Sequence, residues 1–256
     1  MTGEPTAFHK AVFALALGVA TVGLAGTAVA GPETLREGLF RKPGSVGRTA
    51  PAPLVARYVS EEGAVFVLDR SQPGPLLKFD GDPEVWVLQG QPAPRGDVIY
   101  KNDMGEPVLR ATRLGGITLF TDNRPGGSAV ALTGGGQPLR LAPLSPQSLI
   151  ERLGQASVRA SRAARRTILF EAEATPASSA LIADAATITS VAVVRISQRR
   201  DGRLILSRLR SVLLIEGRRA SATVAGEVMR VTVTPGRGLA GRPSSDRITA
   251  ALAAAQ

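Results

Sequence analysis

Apolar and polar positions follow different rules in successive stretches of this 256-residue chain, and each rule predicts its own kind of element. Behind His9-Lys10 runs an uncharged apolar stretch, 11–30, that closes on Ala28-Val29-Ala30. A cation, an apolar core and a small-residue A-x-A end are what a signal peptidase requires, so residues 1–30 are predicted as a signal peptide cut between Ala30 and Gly31. The alternative is an inner-membrane anchor formed by residues 11–30, which approach the roughly 20 residues needed to span a bilayer. Gly, Ala and Thr make the run only weakly apolar, which favours cleavage. No Cys is present to take a lipid.

Residues 31–53 read as a short helix over 33–42, with Leu35 and Leu39 four apart, followed by a Pro/Gly linker. From 54 to 142 the pattern becomes short apolar runs broken by Gly, Pro, Asp or Asn. They fall at 55–59, 64–69, 76–79, 84–88, 97–100, 108–111, 117–121 and 129–132. That spacing predicts an antiparallel β sandwich or roll. Tyr58, Phe66, Phe79, Trp86, Tyr100 and Phe120 lie inside it and are expected to fill its core rather than form a ligand platform.

Gly134-Gly135-Gly136 and Pro138 mark a boundary, and residues 143–256 form the second predicted unit. Ser145 and Pro146 suit the cap and first position of a helix over 146–166, whose one face carries Leu149, Leu153 and alanines while Arg152, Arg159, Arg162 and Arg166 fall on another. Residues 167–174 alternate like a strand, and Pro176 opens a short helix to about 186. A β-hairpin is predicted from 189–199 and 203–215, turning at Asp201-Gly202, a pair that tolerates positive φ. Strands near 221–224 and 228–234 and a helix starting at 244–246 complete an α+β unit.

Composition restricts the chemistry. The chain has no Cys, and its one His is His9, so cleavage leaves neither thiol nor imidazole. That excludes Ser-His-Asp and Cys-His catalysis and Cys/His zinc or haem sites; no cofactor and no metal are expected. Net charge is +10, and it is unevenly placed: residues 31–135 carry 12 basic and 12 acidic groups, residues 136–256 carry 18 Arg against 8 acids.

The hairpin register would put Arg195, Arg199, Arg208 and Arg210 on one sheet face. Like charges facing each other destabilise a sheet unless something neutralises them, so these four are the candidate anion-binding residues. Glu171 and Glu173 are the intramolecular alternative. Nucleic acid is disfavoured as a partner, because the basic half has a single aromatic, Phe170, and no platform for stacking bases. Paired carboxylates can hydrolyse glycosides without His. Asp80, Asp82 and Glu84 form one acid group, and Asp97, Asp103 and Glu106 another, although turn carboxylates bonding their own backbone are the ordinary case.

Val67-Leu68-Asp69-Arg70, Pro83-Glu84-Val85-Trp86, the run from Arg95-Gly96-Asp97 to Lys101-Asn102-Asp103, and Leu114-Gly115-Gly116-Ile117-Thr118-Leu119-Phe120-Thr121 resemble a family of exported proteins of Gram-negative bacteria classed as a domain of unknown function. The resemblance implies an exported bacterial protein and transfers no site residues. The expectation is therefore a periplasmic or extracellular, non-enzymatic envelope accessory protein whose basic C-terminal face meets an anionic lipid headgroup or glycan. The alternative is a carboxylate-based glycan hydrolase in the β unit.

Overall fold

The computed structural model describes residues 53–255. The leader, the Ala30–Gly31 cut, the 33–42 helix and nearly all of the linker lie outside the described residues. Nine strands form the first sheet: β1 Val55–Ser60, β2 Val65–Asp69, β3 Leu76–Phe79, β4 Val85–Val87, β5 Gln89–Ala93, β6 Asp97–Lys101, β7 Pro107–Ala111, β8 Ile117–Thr121 and β9 Arg124–Gly135. Their order is β4-β3-β2-β1-β9-β8-β7-β6-β5, antiparallel throughout.

The two edge strands, β4 and β5, are separated in sequence by Leu88 alone. The sheet must curl until its edges meet, which makes a near-barrel where a sandwich or roll was expected. Irregular pairing at Arg57/Tyr58, Tyr100/Lys101 and Leu119/Thr121 supplies the extra twist that curling needs. Strand β5 escapes a hydrophobic reading because Gly90 and Pro92 interrupt it, and Pro is tolerated at an edge.

Three hairpins of this sheet repeat one turn. Ser60, Asn102 and Thr112 each accept, on a side-chain oxygen, the amide of the residue four ahead, at 2.8–3.0 Å. Gly63, Gly105 and Gly115 sit three ahead at φ of 84–91°, a region glycine enters without cost. The inner face holds Tyr58, Phe66, Leu68, Leu77, Leu109 and Leu119, all buried. Tyr58 stacks on Phe66, Phe66 meets Phe79 edge-on, and Phe79 meets Trp86 edge-on.

The second half contains α1 Pro146–Ala164, β10 Leu169–Ala172, α2 Ser179–Ser197, α3 Gly202–Leu206, β11 Ser211–Glu216, β12 Ser221–Ala225, β13 Val228–Val233, a 3-10 turn Pro235–Gly241 and α4 Ser245–Ala254. Its sheet runs β10-β11-β13-β12, parallel except for the last pair. The whole is mixed α+β. Ser145 caps α1 and Ser244 caps α4 through their hydroxyls, as their positions suggest.

The predicted hairpin is absent. Residues 189–197 belong to α2, 202–206 to α3, and only Ser211–Glu216 is strand. Twelve of the nineteen α2 residues are buried, so the helix has no polar stripe to reveal a 3.6-residue period. Its Val, Ile and Thr content imitates a strand. Asp201-Gly202 does turn the chain, but between two helices. Gly202 is held there by close approach, since a Cβ would lie 1.9 Å from the Ile196 carbonyl oxygen.

Candidate functional site: an arginine-rimmed groove beside a buried ion-pair cluster

The four arginines expected on a common sheet face sit on different elements. Arg195, in the last turn of α2, donates to Ser245 Oγ and to Asp246 Oδ1 (3.3 Å) and lies 3.7 Å from Asp82. Arg199 forms two bonds to Asp201. Arg210 pairs with Glu227 at 3.4 Å. Arg208 is exposed before β11. The register that joined them belonged to a hairpin the chain does not form. Among the described residues, Glu171 and Glu173 make no ion pair with any of the four.

The carboxylates divide as well. Asp80 pairs with Arg57, and Asp97 accepts Nε of Arg110 at 2.9 Å together with its Nη2. The Arg110 bond holds the Asp97 carboxyl below the usual range. Glu84 and Asp103, in contrast, converge on the start of α4. Glu84 Oε1 accepts the Ser245 amide at 2.9 Å, and Oε2 accepts the Ser245 hydroxyl. A carboxylate at a helix N-terminus is favoured by the partial positive charge there. Asp103 takes the Ser244 hydroxyl at 2.7 Å and Arg247 Nε at 3.0 Å.

Arg242 lies at the centre, with its side chain 2% exposed. Its Nε donates to Asp184 Oδ2, Nη1 to Glu84 Oε1 at 3.5 Å and Nη2 to the Val85 carbonyl at 2.9 Å. A buried guanidinium is tolerated only when its charge and donors are matched, and here two acids and two carbonyls, those of Val85 and Pro243, match them. Asp246 beside it is pushed up from the usual carboxylate value by burial and by the Glu84 charge, against the pull of Arg195. Glu84, Asp103 and Asp246 line a hollow of only about 40 Å³.

Next to this cluster opens a groove of about 830 Å³. Leu76, Leu88 and Leu239 give it an apolar floor, and Arg219, Arg237 and Arg247 line its basic side. Arg247 is tied to Asp103; Arg219 and Arg237 are exposed, and their guanidinium groups have no ion pair or hydrogen-bond partner among the described residues. Both stand in glycine-flanked turns, Gly217-Arg218-Arg219 and Gly236-Arg237-Gly238. That is the signal a reading by periodicity misses: arginines in open turns outside any helical or strand pattern. Arg242, Ser244, Ser245 and Asp246 escaped for another reason, since nothing local shows that a polar run before a helix will be buried.

Fold and site together define a mixed α+β protein in which a curled antiparallel sheet is pinned to a helical layer by buried charge, with a cationic groove alongside. The chain matches the domain of unknown function DUF4908 over residues 34–252, and it belongs to that family. Comparison with curated proteins and with solved structures returns no match.

Proposed function

We propose that this is an exported, non-enzymatic envelope accessory protein that binds an anionic group in the groove rimmed by Arg219 and Arg237. The observation that carries the reading is the pair of unpartnered guanidinium groups over an apolar floor. Arginines held for structure would be bonded, as Arg195, Arg199, Arg210 and Arg242 are. A volume of about 830 Å³ is that of a small-molecule cleft. The floor favours an anion carried on an apolar body, such as a lipid headgroup with the start of its chain, over a free glycan. Export rests on the 1–30 sequence pattern.

Glycan hydrolysis is the weaker reading. Its carboxylates are engaged in bonds within the protein, and the hollow shared by Glu84, Asp103 and Asp246 holds little more than one water, whose share of liquid volume is about 30 Å³.

Retention on anionic vesicles at low salt, compared with zwitterionic vesicles and with inorganic polyphosphate, tests the proposal. An arginine near an anionic surface contributes about 1 kcal/mol, so Arg219→Gln with Arg237→Gln weakens binding roughly thirtyfold. Arg203→Gln with Arg208→Gln, a charge-matched control at exposed positions outside the groove, leaves it nearly unchanged. Equal loss from both would mean diffuse attraction and no groove site.

A further inference from the structure

A second hollow, of about 650 Å³, opens at one end of the curled sheet and has the opposite character. Its walls include Phe79 on β3, Trp86 on β4 and Phe120 on β8, which come from opposite arcs of the strand order. All three rings are half-buried, so each keeps part of its surface open. Phe79 and Trp86 stand nearly at right angles, 81° between planes and 6.3 Å between centroids. Both residues line the same volume.

The charged groups lining this hollow are Asp82, Glu106 and Asp122, and neither Lys nor Arg is among its lining residues. In a chain of net charge +10 that is an inversion, and the neighbouring groove shows the contrast with four arginines and one acid. Asp122 is exposed and has no partner among the described residues; Glu106 accepts the Asn102 side-chain amide at 2.9 Å. Polar atoms beside the rings are also unmatched: the Trp86 indole N–H and the Thr121 hydroxyl, both on lining residues, are buried without a hydrogen-bond partner.

We infer that this hollow binds an organic cation, an alkylated ammonium group held against Phe79, Trp86 and Phe120 and neutralised by Glu106 and Asp122, Asp82 being shared with Arg195 3.7 Å away. Aromatic faces attract cations through the ring quadrupole, and the attraction grows when water is excluded. Among the described residues, no three acids converge closely enough to hold a metal ion. Spread carboxylates around aromatic walls suit a bulky, diffuse charge. An anion would meet the carboxylates of Glu106 and Asp122, and a purely apolar ligand would have to desolvate them.

Trp86 is the only tryptophan in the chain, so its fluorescence reports on the hollow directly. Titration of the purified protein with choline and with tetramethylammonium is expected to give a saturable change in the millimolar range. The uncharged isostere 3,3-dimethylbutan-1-ol and matched sodium chloride give none. Phe120→Leu and Asp122→Asn each weaken choline at least threefold, and Asp122, exposed in a turn, can be changed without disturbing the core. Arg219→Gln leaves choline binding unaffected, which separates this site from the anionic groove. A response equal for choline and its neutral isostere, choline affinity untouched by both variants, or saturable binding of a neutral methyl glycoside in place of choline overturns the inference.

Discussion

Inside the curled sheet the core is aromatic, with Tyr58, Phe66 and Phe79 in neighbouring registered positions and Trp86 edge-on to the last of them. The helical half builds its core from Ala, Ile, Val and Leu along α2, with Phe170 as its one aromatic. Short strands with one inward face need few, large side chains, whereas a helix buried on most sides needs many small ones to let neighbours approach. The charge follows the same division. The sheet half, residues 53–135, carries 8 basic and 10 acidic groups and pairs Asp80 and Asp97 with its own arginines, while the helical half leaves arginines over for the groove. The two cores meet where Arg242 and the α4 N-terminus bind carboxylates of the sheet's turns.

Arg242→Met tests that junction most severely. It removes the cation between Glu84 and Asp184 and strands two acids, one of them 1% exposed. Breaking a buried pair from one side costs about 3–5 kcal/mol. Urea denaturation should show a loss of that size, smaller when Glu84→Gln is added. A loss under about 1 kcal/mol would mean the halves do not depend on the cluster.

Ile188→Ala, at a fully buried position of α2, should cost about 3 kcal/mol through the cavity it leaves. The informative result is which signal moves. Trp86 fluorescence follows the sheet and far-ultraviolet circular dichroism follows the helices, so a common shift of both shows one cooperative unit. A shift of the dichroism alone would show two.

This contrast also explains what could be read in advance. All eight predicted strands of the first half occur, because alternation and glycine turns are local signals, as in Asn102–Gly105 and Thr112–Gly115. Closure of the sheet was hidden, since it follows from β4 and β5 being chain neighbours at opposite edges, and β5 carries no apolar alternation. In the second half, α1 was legible from its arginine face, and α4 from Ser244. Helix α2 was not, because its partly exposed stripe, Ala180, Asp184, Thr187, Val191 and Val194, is itself mostly apolar and shows no polar period. The candidate site suffered most: Glu84 and Asp103 were singled out for their charge, but their partners at Ser244, Ser245 and Arg242 are about 140–160 residues away.

Acid should affect individual carboxylates with opposite sign. Arg110 holds Asp97 below its ordinary value; for Asp69 burial pushes upward, but the Ser71 hydroxyl, the amides of Ser71 and Leu139 and the Arg140 charge outweigh it. Groups with lowered values stabilise above the unfolded pKa of about 4 and lose that contribution as pH falls through the folded one. Asp246 is raised, so its contribution is present at low pH and lost as pH rises through its folded value. Urea midpoints between pH 3 and 7 should therefore fall less steeply with acid for Asp97→Asn than for the unchanged protein. Asp246→Asn should make the fall steeper, because it removes the group that opposes it.

The smallest effect concerns the aromatic core itself. Tyr58 is 3% exposed, its hydroxyl is buried with no hydrogen-bond partner, and burial pushes its phenol above the ordinary value. A buried polar group without a partner has lost its water and gained nothing, a deficit of about 1 kcal/mol or more. Tyr58→Phe deletes the oxygen and keeps the stack on Phe66, whose centroid lies 5.5 Å away. The oxygen's small void gives back part of the gain. The net expectation is a protein unchanged or more stable by up to about 1 kcal/mol, read from the urea midpoint at pH 7. A loss beyond 1 kcal/mol would mean the hydroxyl is bonded in solution, and the inside of the curled sheet would then hold a polar contact among its aromatic rings.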